Sequence, residues 1–336
     1  MHIMNERDYK LFEQIVKMSQ PTLKRVMAKW LKEKYQQVVE TKDYIYAIGD
    51  IPVALAAHMD TVFSKPVESL YYDTRKNVMW SPEGLGADDR AGIFAIYQIV
   101  RSGLRPHIIL STDEEKGCVG ATELAKLPCP FEKLNYIIQL DRRGSNDCVF
   151  YDCDNGKFTE YVESFGFIEA IGSFTDITEY CPAWGVAGVN LSVGYYNEHT
   201  YSETLCVNIL YSTIHKVKNM LMEKEIPYFE FIQAVYPYGT GHYWGSSWDT
   251  SLGANLEGNS YQIVSCSHCG EKEFLEDMYP VIGLNGEEKM YCQNCISDRG
   301  IEWCDICYRT VEIDPSQHRG KRFICNNCNS VRGEKK

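Results

Sequence analysis

No stretch of this 336-residue sequence approaches the roughly 18 consecutive apolar residues that a membrane-crossing helix requires, so no membrane association is expected. The first thirty residues also lack the apolar segment of a secretory leader. Their apolar positions (Ile3, Leu11, Phe12, Ile15, Val16, Leu23, Val26, Met27, Trp30, Leu31) recur at helical spacing among lysines and arginines, which predicts a surface helix pair broken at Pro21. Positive charge is scarce. Against 46 Asp and Glu stand 34 Lys and Arg, a net charge of -12. A general nucleic-acid binder needs a basic face, so that class is not expected. Apolar content is not lacking: at 44% hydrophobic the chain can bury a full core, and its length predicts two units.

Paired cysteines are absent until residue 265 and dense after it. Of fourteen cysteines, six (Cys118, Cys129, Cys148, Cys153, Cys181, Cys206) are scattered, and eight form Cys266-x2-Cys269, Cys292-x2-Cys295, Cys304-x2-Cys307 and Cys325-x2-Cys328. With no leader in view, the economical reading is a reducing cytoplasm, metal-bound thiolates at the C-terminus and free buried thiols elsewhere. The CxxC spacing predicts a small double zinc ribbon, with eight thiolates for two closed, structural Zn2+ sites of four cysteines each. So short and apolar-poor a segment would largely unfold without metal. Pairing stays open between two sequential ribbons and a cross-braced arrangement. From Val264 onward acidic residues outnumber basic ones despite the patch His318, Arg319, Lys321 and Arg322. A protein partner or self-association is therefore expected of the ribbons, rather than nucleic acid.

Between these ends the pattern is α/β. Strands are expected at Tyr44 to Ile48, Val53 to Ala57, Ile108 to Leu110, Tyr136 to Leu140, Cys148 to Tyr151 and Val186 to Val193. A hairpin is expected around Asp73 to Asn77. Helices are expected from LGADDRAG (85 to 92) onward, at Cys118 to Lys126, at Phe158 to Phe165 and at Leu205 to Lys224. Strands alternating with helices imply a largely parallel central sheet covered on both faces. The expected division is an α/β domain over 1-226, an aromatic and glycine-rich connecting arm over 227-262, and the ribbon domain over 263-336.

Five polar islands fall at expected strand ends or in the loops beyond: His58 with Asp60, Asp88 with Asp89, Glu114 with Glu115, Asp141, and His199 within YNEHTYSETL. Taken singly, each has a plainer reading as a capped turn, a helix N-cap or a surface loop residue. Together, two imidazoles and at least three carboxylates at one edge of a sheet need cations to compensate them, and mixed nitrogen and oxygen ligands suit zinc, with Co2+ or Mn2+ as alternatives. If one carboxylate bridges, this is the ligand supply for two ions at roughly 3.5 to 4 Å separation.

The order AHMDTV, LGADDRAG, STDEEKGCVGA, IIQLD and YNEHTYSETL resembles the co-catalytic dizinc exopeptidases that include bacterial leucyl aminopeptidases, peptidase T and the glutamate carboxypeptidases, over residues 50 to 215. By position, the resemblance implies that Asp88 bridges two catalytic Zn2+, with Asp89 as the alternative. His58 and Asp141 would complete one site, and Glu115 and His199 the other. Glu114 would be the general base, Asp60 the carboxylate that orients His58, and Glu203 would stand where the compact aminopeptidases carry an aspartate. The short interval from Asp141 to His199 leaves no room for an inserted lid, which makes that compact branch the closer match.

The chemistry suits these residue types independently of the resemblance. Paired zinc ions lower the pKa of water from near 15.7 to roughly 7, and a carboxylate that is not a ligand can accept the proton and pass it to the leaving amine. The expected activity is an aminopeptidase-like cleavage of a peptide substrate. Arg142 or Arg143 would serve a substrate carboxylate, which keeps open a carboxypeptidase or an N-acyl-amino-acid amidohydrolase acting on acyl-amino-acid substrates. Asp176 is a further substrate-pocket candidate. From another class stands a silent peptide-binding or adaptor protein whose ribbons carry the function.

Overall fold

The computed structural model describes residues 3–172 and 174–234 and, in the C-terminal unit, 263–270, 272–274, 278–282, 287–292, 295, 301–303 and 310–312. The chain divides into two compact units, Met1–Val235 and Tyr236–Lys336. Of the expected connecting arm, 235–262 lie outside the described residues.

In the first unit the elements run α1 (Glu6–Lys17), α2 (Gln20–Lys32), β1 (Gln37–Glu40), β2 (Tyr44–Ile48), β3 (Ile51–His58), β4 (Tyr71–Asp73), β5 (Val78–Trp80), α3 (Ala87–Arg101), β6 (Pro106–Ser111), α4 (Val119–Ala125), β7 (Tyr136–Arg142), β8 (Asp147–Val149), α5 (Gly156–Glu163), β9 (Ile168–Glu169), α6 (Ile177–Trp184), β10 (Gly188–Ser192), β11 (Tyr195–Tyr196), β12 (Thr204–Cys206) and α7 (Val207–Leu221). The break between the first two helices falls at Met18 and Ser19, and Pro21 sits in the first turn of α2, where its missing N–H costs nothing.

The main sheet has eight strands in the order β1-β2-β6-β3-β7-β10-β8-β9. Its centre, β6-β3-β7-β10, is parallel, while β1, β2 and β8 join antiparallel, so the sheet is mixed with a parallel heart. Alternation along the strands explains why both faces are covered. Val53, Leu55 and Ala57 pack with α1, α2, α3, α5 and α7, whereas Ala54 and Ala56 pack with α4 and α6. Strands buried on both sides favour apolar residues at successive positions, which is why residues 53–57 in β3 and 108–110 in β6 read as apolar runs. The expected hairpin is β4–β5, but it belongs to a second, four-stranded sheet with β11 and β12.

Helix α6 has no counterpart in the sequence reading, because Pro182 within it reads as a breaker. It is tolerated in the last turn, which Gly185 then closes in the left-handed conformation at φ 66°. Close packing here and at the site demands glycine. A Cβ at Gly188 would lie 2.3 Å from Cys181 Sγ, and one at Gly92 would lie 2.4 Å from the Leu140 carbonyl oxygen. No helix among the described residues is long and apolar enough to cross a membrane.

His107 on β6 is buried and neutral: its Nδ1 accepts the Gly49 N–H at 3.1 Å, its Nε2 donates to the Lys133 carbonyl at 2.8 Å, and the ring stacks on Phe131. Burial holds its pKa below the ordinary value. The unfolded chain therefore binds a proton at His107 that the folded chain refuses, and stability is lost as pH falls through about 6.5. The expected result is a urea midpoint that drops between pH 7.5 and 5.5 more steeply in the wild-type protein than in His107→Gln.

In the C-terminal unit, β13 (Ile263–Ser265) pairs antiparallel with β14 (Lys272–Phe274), and β15 (Met278–Ile282), β16 (Glu288–Cys292), β17 (Ile301–Trp303) and β18 (Thr310–Glu312) form a four-stranded sheet ordered β16-β15-β18-β17.

Candidate metal centre

Parallel strands aim their C-terminal ends at one edge, where open α/β sheets bind ligands. His58 is the last residue of β3, and Asp141 lies one residue from the end of β7. Beyond β6, residues Glu114–Lys116 form a short 3-10 turn carrying Glu114 and Glu115. His199 follows β11 in a loop, with φ 64°. Asp88 and Asp89 precede the regular part of α3, and their peptide bond is cis.

These residues meet. The Nε2 atom of His58 lies 3.0 Å from Asp88 Oδ1 and 3.5 Å from Asp141 Oδ1. His199 Nε2 lies 3.3 Å from the other Asp88 oxygen and 3.1 Å from Glu115 Oε2. Asp88 thus belongs to two triads, His58/Asp88/Asp141 and Asp88/Glu115/His199, each with ligand atoms within 4.8 Å of one another. The neighbouring Asp89 is turned away: its oxygens accept the His58 N–H at 3.1 Å and the Gly92 N–H at 2.9 Å, capping the helix instead.

The supports are mostly carboxylates on backbone amides. Asp60 faces His58 Nδ1 at 3.2 Å and accepts the N–H groups of both Glu114 and Glu115, at 3.0 and 3.1 Å. One side chain therefore sets the imidazole and the glutamate pair together. Asp141 accepts bonds from Tyr195, Gln139 and Thr175. Of these, only Gln139 had a sequence signal, since two residues along a strand return to the same face; Tyr195 and Thr175 arrive from distant segments.

Glu203, fully buried, accepts the Gly86 N–H at 2.6 Å and the Asp88 N–H at 3.0 Å. Replacing it by alanine leaves two buried N–H groups unpaired and frees the loop that carries Asp88. Glu203→Ala is expected to weaken zinc binding at the groups that share Asp88 roughly 10- to 100-fold in a chelator-competition titration.

The donor set fits cations. Burial drives Asp141 up to about 7 and Glu114 up to about 9, neighbouring carboxylates adding to both against the opposing pull of His58. Burial pulls His58 down, yet Asp141, Asp60 and Asp88 outweigh it and hold the ring well above its ordinary value. Such crowding of acids is stable only with positive charge among them. In addition, Glu115 Oε1 is buried with no hydrogen-bond partner among the described residues, an acceptor left for a cation.

Glu114 lies beside both triads and forms a further group with His58 and Glu115, their ligand atoms within 4.8 Å of one another. Its Oε2 is 3.9 Å from His58 Nε2 and its Oε1 is 3.6 Å from the Cys118 thiol, a contact with no sequence signal. Glu114, Asp88, Asp141, Glu115 and His199 line a cavity of about 310 Å³ that also takes in Arg142. Asp176 is fully buried at the start of α6 and accepts a bond from Ser111 Oγ; its carboxylate lies within 4.8 Å of Glu114 and Cys118, and it does not line the cavity.

In the C-terminal unit, the thiols of Cys266, Cys269 and Cys295 lie within 4.8 Å of one another. The first two flank the β13–β14 turn, where the Gly270 N–H bonds the Cys266 carbonyl at 2.9 Å. The Cys292 side chain and Cys304, Cys307, Cys325 and Cys328, with the basic patch from His318 to Arg322, lie outside the described residues.

No family model matches the chain, and no curated protein does. Among solved structures it is similar to a tripeptidase from Staphylococcus aureus (TM-score 0.50, 14% identity, covering 66% of this chain and 98% of that one). It is also similar to the aminopeptidase PepT from Bacillus cereus (TM-score 0.48, 15% identity, 65% and 98%) and to a TET aminopeptidase from a marine sediment archaeon of the Thaumarchaeota (TM-score 0.49, 14% identity, 66% and 98%). At such identity the likeness to the tripeptidase establishes the α/β fold alone.

Proposed function

We propose that the chain is a two-metal exopeptidase, aminopeptidase-like, that cleaves a peptide or amide bond at the rim of its sheet. The observation that carries this reading is the sharing of Asp88 between two triads, with Glu114 beside both at longer range, its Oε2 3.9 Å from His58 Nε2 against 3.0 Å for Asp88 Oδ1. His58, Asp88 and Asp141 would hold one ion, and Asp88, Glu115 and His199 the other, with zinc as the occupant best suited to the mixed donors. Bound there, the pair supplies Lewis acidity toward water and the scissile carbonyl.

The chain's own residues do the rest. Glu114 takes a proton at its carboxylate and returns it to the leaving amine. Asp60 keeps His58 and the glutamate turn in register. Glu198 lines the cavity with one oxygen, Oε2, buried and without a hydrogen-bond partner among the described residues, an acceptor suited to a substrate's α-ammonium group. The fold's likeness to a structure described as a tripeptidase agrees with a short peptide as substrate. A carboxylate-recognising hydrolase is the second reading, favoured by Arg142 in the same cavity.

In the C-terminal unit, Cys266, Cys269 and Cys295 combine the first knuckle with the second, which supports sequential pairing and a closed structural zinc site in this reading. Purified protein is expected to carry about four zinc ions, two of them removed quickly by a chelator. Hydrolysis of aminoacyl-arylamides or N-acyl amino acids should vanish with those two and return when zinc is restored. Undiminished turnover after their removal would show that the cluster is not the reaction centre.

A further inference from the structure

Resting on the hydrolase reading above, we infer that Arg142 binds a free carboxylate of the substrate, so that the site acts on short unblocked peptides whose C-terminus lies inside the cavity. Arg142 follows Asp141 at the end of β7 and lines the cavity shared by Asp88, Glu114, Glu115 and His199. One guanidinium nitrogen donates to the Ile171 carbonyl at 2.9 Å, which fixes the side chain in place. Its Nε is buried and meets no acceptor among the described residues. A buried donor without an acceptor is costly to leave unmade, and a guanidinium presents its donors as a fork that matches a carboxylate.

The adjacent arginine shows the contrast. Arg143 donates to Glu198 Oε1 at 3.0 Å, so its charge already has a partner. Arg142 forms no ion pair among the described residues, even though the wall beside it is rich in carboxylates. With cations compensating those acids, Arg142 is the charge left for an anion. The volume, about 310 Å³, lies at the small end of ligand cavities, roughly 300 to 1,000 Å³, which suits a ligand of dipeptide size.

The test uses the full chain carrying Glu114→Gln, loaded with zinc, and calorimetric titration with alanyl-leucine and with its C-terminal amide. The free acid is expected to bind roughly 10- to 100-fold more tightly than the amide, the effect of a charge-assisted bond. Adding Arg142→Met should bring that ratio close to one, and Arg142→Lys, which keeps charge but not the fork, should retain part of it. Equal affinity for acid and amide, no binding of either, or a ratio unchanged by Arg142→Met would overturn the assignment. Turnover by the unmutated protein is followed in parallel: selective binding of the acid with no turnover of either would sink the hydrolase reading and leave the carboxylate site standing.

Discussion

Replacing Glu114 by glutamine is expected to lower hydrolysis by roughly 10²- to 10⁴-fold while zinc content stays the same, the range ascribed to a positioned general acid and base. The amide fills the same space but has no basic oxygen for a proton. Metal should be retained because the contacts of the two triads run through Asp88, Asp141, Glu115 and the two imidazoles. Burial raises the Glu114 carboxyl to about 9, with Asp141, Asp176 and Asp88 contributing and His58 opposing. Cations at the adjoining triads favour the ionised form again, so the same position is both basic and compensated when the site is loaded. Wild-type rates for the variant in a purified assay would take Glu114 out of the reaction; loss of zinc along with activity would make it a ligand.

Asp88→Ala should have the larger effect on metal. Its two oxygens face different imidazoles, His58 at 3.0 Å and His199 at 3.3 Å, so one truncation damages both triads. Metal analysis should show both readily chelated ions gone or bound far more weakly, with hydrolysis undetectable and metal at the proposed C-terminal cysteine site unchanged. Asp89→Ala is the informative partner. Its carboxylate serves the His58 and Gly92 amides, so the expected cost is about 0.5–2 kcal/mol of fold stability, as for a lost N-cap, with the ions still bound. A reversed outcome, metal lost in Asp89→Ala and kept in Asp88→Ala, would exchange the roles.

Much of this was legible in the residue order. The apolar runs of β3 and β6 suited strands covered on both sides, and the polar islands that end or follow such runs were expected toward one edge of the sheet. Helix α6 was hidden because Pro182 speaks locally for a break, while its packing on β10, with Gly188 against Cys181, is a tertiary matter. The site's supports were hidden for the same reason. Tyr195 and Thr175 reach Asp141 from segments whose local pattern says nothing about that partner.

Taken alone, the sequence determined most of the alternation of strand and helix, the kinds of ligand atom available and the Cys-x2-Cys spacing, because these depend on side-chain periodicity and spacing within a few residues. Only the tertiary structure decided which of Asp88 and Asp89 faces the imidazoles, that Asp176 lies beside Glu114, and that Arg142 forms no ion pair among the described residues where Arg143 does. Those outcomes are set by the direction in which each side chain leaves the backbone and by what packs there from far along the chain, and neighbouring residues in a sequence carry no record of either.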